Sequence, residues 1–352
     1  MDSHKHWLDR RDFLKAGLGA AAATAAFPSG DAQAETPAAK AISVEGNPIP
    51  VRTFGKTGYR FPVLGLGGAA FITRDAPYYG VELPPVEERI KLVRTAYDKG
   101  VRYFDTARIY EESEHIVGEA LKDIRDQVYI ASKVLVHEPE KARESVETSL
   151  KELQMDRIDC FQVHGPAIEK IKFEGAMKLY EELVKLREEG LFRFIGLTGH
   201  SSYDEMYKMI STGNFDQVLI EFGYIRKGIG TRHSNTMLEW REMCLAKATE
   251  LQMGVVAMKV LCANVFSHNA LQLIPDYDAE AAKRLPGAAM RWTLSDPRVH
   301  VLNIGMSFVS DIEENVKMLT GDVTLTNQDR LLLADFAEKA YRHPKIENLP
   351  IV

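Results

Sequence analysis

Cysteine is scarce in this chain: Cys160, Cys244 and Cys262 are the only three among 352 residues. Their odd number and lack of metal or redox spacing argue against a disulfide framework or a metal centre. Each is expected to be a small core residue, and no metal is expected. An excess of positive charge is also missing. The formal net charge is -6, which excludes the basic footprint of a nucleic-acid binder. The apolar stretch from Ala16 to Phe27 is too short and too weakly apolar to span a bilayer. No repeat or low-complexity tract follows it. What remains, with 45% hydrophobic and 27% charged residues, suits a soluble globular enzyme with one large core or two smaller ones.

The first 34 residues read as a targeting segment. Arg10-Arg11-Asp12-Phe13-Leu14-Lys15 precedes the apolar stretch, and Ala32-Gln33-Ala34 offers a cleavage site before Glu35. The paired arginines resemble a twin-arginine export signal. That resemblance implies the twin-arginine translocase as a partner during export, a periplasmic product, and no stable membrane anchor after cleavage. Residues 35–50 read as a linker or arm, and 51–352 as a single domain.

Residues 51–61 suggest a strand, a Gly55-Lys56-Thr57-Gly58 turn and a second strand. Eight further strand candidates follow: Val63–Gly67, Arg102–Asp105, Val128–Lys133, Ile158–His164, Phe194–Thr198, Gln217–Phe222, Val255–Lys259 and Val301–Gly305. Helical periodicity falls between and after them, over Val86–Lys99, Glu114–Asp123, Glu140–Leu153, Gly175–Glu189, Tyr203–Ser211, Met237–Leu251, Ala279–Leu294 and Ser310–Leu319. Gly100, Gly190, Gly213 and Gly254 are expected to close helices. A last helix, Asn327–Tyr341, follows with Thr326 as its N-cap. Eight alternating strands and helices over about 250 residues predict a (β/α)8 TIM barrel with an N-terminal β-hairpin and a C-terminal extra helix. The competing open sheet needs a G-x-G-x-x-G turn, and Gly65-Leu66-Gly67-Gly68 lacks that spacing.

Four residues at or just beyond strand ends carry the chemistry: Asp105, Tyr110, Lys133 and His164. In a parallel barrel these ends converge on one face. An ammonium beside a phenol favours the phenolate. Asp105 would balance the charge of Lys133 in a dry site, and His164 would orient a carbonyl oxygen. The set suits proton delivery to an oxygen that is becoming an alkoxide.

From about Thr53 to about Leu319 the chain resembles the aldo-keto reductases. The matching segments are Gly55-Lys56-Thr57-Gly58, Phe104 to Tyr110, Ala131-Ser132-Lys133, Asp156 to Asp159, Val163-His164, Arg193 to Gly196 and Glu314-Asn315. The resemblance implies a barrel that interconverts an aldehyde or ketone and its alcohol with a nicotinamide cofactor. Tyr110 would be the general acid, Lys133 and Asp105 its tuning pair, and His164 the carbonyl-orienting residue. It implies NADP(H), with NAD(H) possible because Asp311 and Glu313 stand where cations are usual. Its cofactor positions here are Thr198, Met258, Lys259, Leu261, Gly305, Met306, Ser307, Asp311, Glu314 and Asn315. Gly199 and Leu219 replace the usual amides, so the grip on the nicotinamide is altered.

Phe71, Tyr79, His200, Tyr224 and Trp240 are candidates to line the substrate mouth. The loop Arg226–Asn235 reads either as an attractor for anions or as a solvated basic loop. Two other classes stay open beside a carbonyl oxidoreductase. One is a cofactor-bound redox sensor or partner-binding subunit; the other is a non-redox barrel lyase or isomerase.

Overall fold

The computed structural model describes residues 42–75, 82–228, 230–267 and 269–352. The proposed signal segment and Tyr79 lie outside the described residues. Eight parallel strands close into a barrel: β3 (Leu64–Gly67), β4 (Tyr103–Asp105), β5 (Tyr129–Val134), β6 (Ile158–Val163), β7 (Phe192–Gly199), β8 (Gln217–Glu221), β9 (Gly254–Met258) and β10 (Val301–Ile304). Neighbours in the chain are neighbours in space, and β10 returns to pair with β3. A hairpin of β1 (Val51–Thr53) and β2 (Arg60–Pro62) precedes them. The (β/α)8 expectation holds, and the strand bounds shift by no more than two residues.

Helices wrap the strands on the outside: α1 (Val86–Asp98), α2 (Ser113–Leu121), α3 (Ala142–Leu153), α4 (Gly165–Glu188), α5 (Tyr203–Ser211) and α6 (Asn235–Glu250). A short α7 (Ala270–Leu273) leads to α8 (Ala279–Leu294), and α9 (Val309–Leu319) follows β10. The extra helix α10 (Asn327–Arg342) packs on α8, with Thr326 in a capping box with Asp329 as expected. A short α11 (Pro344–Glu347) ends the described helices. The chain enters α4 ten residues before the periodic segment, then breaks at Lys172, where φ is 56°. The helical period is legible only after that break.

Both faces of the strands are covered, so β5 and β6 are buried along their whole length. Alternation decides which side chains enter the barrel. Its floor is an aromatic layer of Phe54, Phe61, Tyr103, Tyr129 and Phe194, closed from below by the hairpin. Cys160 joins this layer, while Cys244 and Cys262 belong to the core outside it; all three are buried and free. Gly100, Gly190 and Gly213 take the left-handed conformation at helix ends. Gly254 does not, which corrects its expected capping role: it opens β9, and Gln252 adopts the left-handed turn instead. A β-carbon on Gly254 would lie 2.5 Å from the Phe54 ring, so the position needs glycine for close approach.

Among the described residues no helix is long and apolar enough to cross a membrane. None of their His, Cys, Asp and Glu side chains form a group of three or more able to hold a metal.

Candidate active site

The inward positions above the aromatic floor turn polar at the C-terminal ends of the strands. Two residues above Tyr103 stands Asp105, and Lys133 stands four above Tyr129. The Lys133 ammonium, 1% exposed, is paired with Asp105 and donates to the Thr106 carbonyl at 2.7 Å. It also lies over the Tyr110 ring, 4.8 Å from its centre. Burial pushes Lys133 down, but Asp105 and Tyr110 outweigh that by attraction and hydrogen bonding and hold it above the ordinary lysine range. Lys133 is therefore a fixed cation.

Tyr110 sits in the turn that follows β4 and is anchored on both sides. Its backbone N–H donates to the Ala107 carbonyl at 3.0 Å, and its own carbonyl accepts from Ser113 at 2.9 Å. Arg108 pairs with Glu114, a buried carboxylate at the start of α2 that also accepts from Ser132 at 2.5 Å. Two segments are thereby tied together: the tyrosine turn and the lysine strand. The Tyr110 and His164 rings stand nearly perpendicular, with centroids 6.0 Å apart.

His164 follows β6 at the start of α4. Burial first, then the charges of Lys133 and His200, push its imidazole well below the usual range. A neutral imidazole can donate one hydrogen bond to a carbonyl oxygen, but it is not the proton source at neutral pH. Asp105, Tyr110, Lys133 and His164 thus come together as the spacing predicts.

The sequence reading passed over two amides beside them. Gln162 Nε2 donates to Asp105 Oδ2 at 3.0 Å, and Asn303 Nδ2 reaches Asp105 Oδ1 at 3.3 Å. Period-two alternation held the signal, since Gln162 stands two before His164 and Asn303 two after Val301.

A cavity of about 300 Å³ opens over this set, walled by Asp105, Tyr110, His164, His200, Met258 and Lys259 among others. A second groove of about 780 Å³ adjoins it and shares Leu261, Asn264 and Gly305 as lining. Ser307 lines the first space, and Asp311, Glu314 and Asn315 line the second. Two joined spaces of this kind suit a long dinucleotide. Asn303 lines the cavity and leaves its buried Oδ1 without a partner, an acceptor available to a bound group. Met306 and Thr198 are buried and are not among the walls.

The aromatic candidates fare differently. His200 is on the wall. Phe71 is fully buried in core, Tyr224 packs edge-on against Trp292 at 5.2 Å, and Trp240 tilts against Tyr207 on the outer layer. None of these three lines the cavity. In the loop Arg226–Asn235, Lys227 and His233 are buried whereas Arg226 is exposed, so only part of the loop's basic charge is solvated.

Comparison with known proteins adds an independent line. Residues 63–330 match the model of the aldo/keto reductase family. L-galactose dehydrogenase of Arabidopsis thaliana is 25% identical over 304 residues, covering 77% of this chain and 88% of that protein. Methylglyoxal reductase DkgA of Yersinia pestis is 36% identical over 121 residues, covering 34% of this chain and 42% of that protein. The solved aldo-keto reductase AKR11C1 of Bacillus halodurans superposes with a TM-score of 0.65 at 20% identity, over 83% of this chain and 97% of that one. That last likeness is one of fold.

Proposed function

The chain belongs to the aldo/keto reductase family and is a nicotinamide-dependent oxidoreductase acting on an aldehyde or ketone, and we propose that Tyr110 is its proton donor. The observation that carries this reading is the buried ammonium of Lys133, held between Asp105 and the Tyr110 ring. A cation in that place favours the phenolate left after proton transfer. Asp105, oriented by Gln162 and Asn303, keeps the cation in place. His164 donates to the carbonyl oxygen and turns it toward the phenol. When bound, the reduced nicotinamide supplies the hydride. Met258, Lys259 and Leu261 would hold its reactive end, with Gly305, Ser307, Asp311, Glu314 and Asn315 along the groove. Steady-state turnover of an aldehyde panel with NADPH tests the reading; a protein that binds NADPH yet reduces none of them would sink it.

NADP(H) is the proposed dinucleotide, with NAD(H) a competent substitute. Asp311 supports that breadth. Its Oδ2 accepts from the backbone N–H groups of Ser307 and Phe308 at 2.8 and 3.0 Å. The start of α9, where a 2′-phosphate would look for amides, is already served by a carboxylate. The dissociation constants of NADPH and NADH are expected to lie within about tenfold of each other, roughly one hydrogen bond's worth. Fluorescence titration checks this, and Asp311→Asn should tilt the ratio toward NADPH. A wild-type preference far larger than tenfold would show that Asp311 yields to the phosphate.

Export is the second part of the proposal. Arg10-Arg11, the short apolar stretch and the Ala32-Gln33-Ala34 site support passage through the twin-arginine translocase to the periplasm. Changing Arg10 and Arg11 to lysine is expected to leave the protein in the cytoplasm, as read by cell fractionation. Undiminished export of that variant would exclude the route.

A further inference from the structure

Beside the reductase site lies a second polar cluster that proton delivery through Tyr110 does not use. Glu221 ends β8 on the inward face, two residues beyond the cavity-lining Leu219, yet is only 2% exposed. A carboxylate that deep needs partners. Its Oε2 meets His200 Nδ1 at 3.2 Å, and its Oε1 lies 3.3 Å from His233 Nε2. His233 is itself 1% exposed, and burial outweighs the pull of Glu221 to hold its imidazole below the usual range. Gly228 lets this packing close, because a β-carbon there would come within 2.9 Å of His233 Nε2 and 3.6 Å of Glu221 Oε2. The inward turn of His233 in the Arg226–Asn235 loop thus has a physical cause: it brings an imidazole to a buried carboxylate.

Only one member of the cluster reaches the reductase cavity. His200, 33% exposed, lines that wall directly after β7. A carboxylate accepts hydrogen bonds and cannot give them. Glu221 therefore keeps the proton of a neutral His200 on Nδ1, which leaves Nε2 as an acceptor. The arrangement is that of a carboxylate-oriented imidazole. His164 and His200 both line this cavity, so the two imidazoles border the space where the carbonyl is oriented.

We propose that His200, oriented by the buried Glu221, accepts a hydrogen bond from a hydroxyl beside the reacting carbonyl, which makes small hydroxy-aldehydes the preferred substrate class. His200 is the contact, and Glu221 is a positioning residue that acts through it. The proposal rests on the reading of Tyr110 and His164 as the carbonyl site.

The test uses the full chain with NADPH and two probes, glyceraldehyde and butanal. The readout is the ratio of their kcat/KM values. In wild type the ratio is expected to favour glyceraldehyde, and His200→Leu should lower it by about tenfold, the loss of one hydrogen bond. Glu221→Gln should lower it in the same direction. The double variant should fall no further than His200→Leu alone, because the two act as one unit. His200→Gln, which keeps an amide acceptor on a partly exposed wall, should recover part of the ratio. An unchanged ratio in His200→Leu and in His200→Gln overturns the proposal. So does a conserved ratio with weakened NADPH binding, which would assign His200 to the nicotinamide. Absence of turnover with either aldehyde in the wild type would instead overturn the carbonyl-site reading beneath it.

Discussion

Tyr110→Phe is expected to lose carbonyl reduction by about a thousandfold or more, the middle of the range for a lost general acid. The protein should remain folded and keep most of its cofactor affinity. The reasoning is geometric. Phenylalanine keeps the ring, so the packing of Lys133 over its face and the perpendicular contact with His164 survive. Only the hydroxyl is removed. No neighbour can replace it as the acid. Burial and the charges of Lys133 and His200 depress the His164 imidazole, which has no proton to spare at neutral pH. Lys133 fails for the opposite reason: despite its burial, Asp105 and Tyr110 raise it above the ordinary range, so it holds its proton too firmly. Aldehyde turnover measured alongside a nicotinamide fluorescence titration checks both halves. Turnover above about a tenth of wild type would show that the proton comes from elsewhere, since a tenfold loss is too small for a missing acid.

The barrel was legible because its signal is local and repeated. Each strand is a short apolar run bounded by turn residues, and eight of them leave little freedom once parallel pairing is assumed. The four strand-end residues were legible for the same reason. What closes around them was not. Asn303 meets Asp105 across 198 positions of sequence, and only closure of β10 onto β3 brings them together. Glu221 read as part of an ordinary apolar strand, and nothing local shows that it would be buried, 2% exposed, with two histidines in reach. Alternation from Leu219 would have placed it inward; it would not have supplied His233. The aromatic candidates failed for another reason. Composition gives Phe71, Tyr224 and Trp240 equal claim to a cavity wall, whereas packing sends the first into the core and the others against aromatic neighbours. The basic loop misled because its charges were counted without the buried acid that His233 turns inward to meet.

Lys133→Met is expected to damage stability and activity through separate causes, and a second substitution should pull them apart. Removing the ammonium leaves the Asp105 carboxylate 2% exposed with only the amides of Gln162 and Asn303 to answer it. Stranding one member of a buried pair destabilises a fold by about 3–5 kcal/mol. Because its pKa is raised in the folded protein, Lys133 contributes stability that is fully present below its unfolded value and fades only as pH rises through the folded one. A urea melt at neutral pH therefore samples the whole effect. Adding Asp105→Asn removes the stranded charge, so the double variant should regain most of the stability lost by Lys133→Met. Activity should not return with it. Tyr110 would then sit beside two neutral side chains, and nothing would favour the phenolate that proton transfer leaves behind. A double variant that is stable and inactive separates the structural work of the ion pair from its chemical work. One that recovers turnover with stability would mean that Lys133 only holds the fold, and that the tyrosine needs no cation to give up its proton.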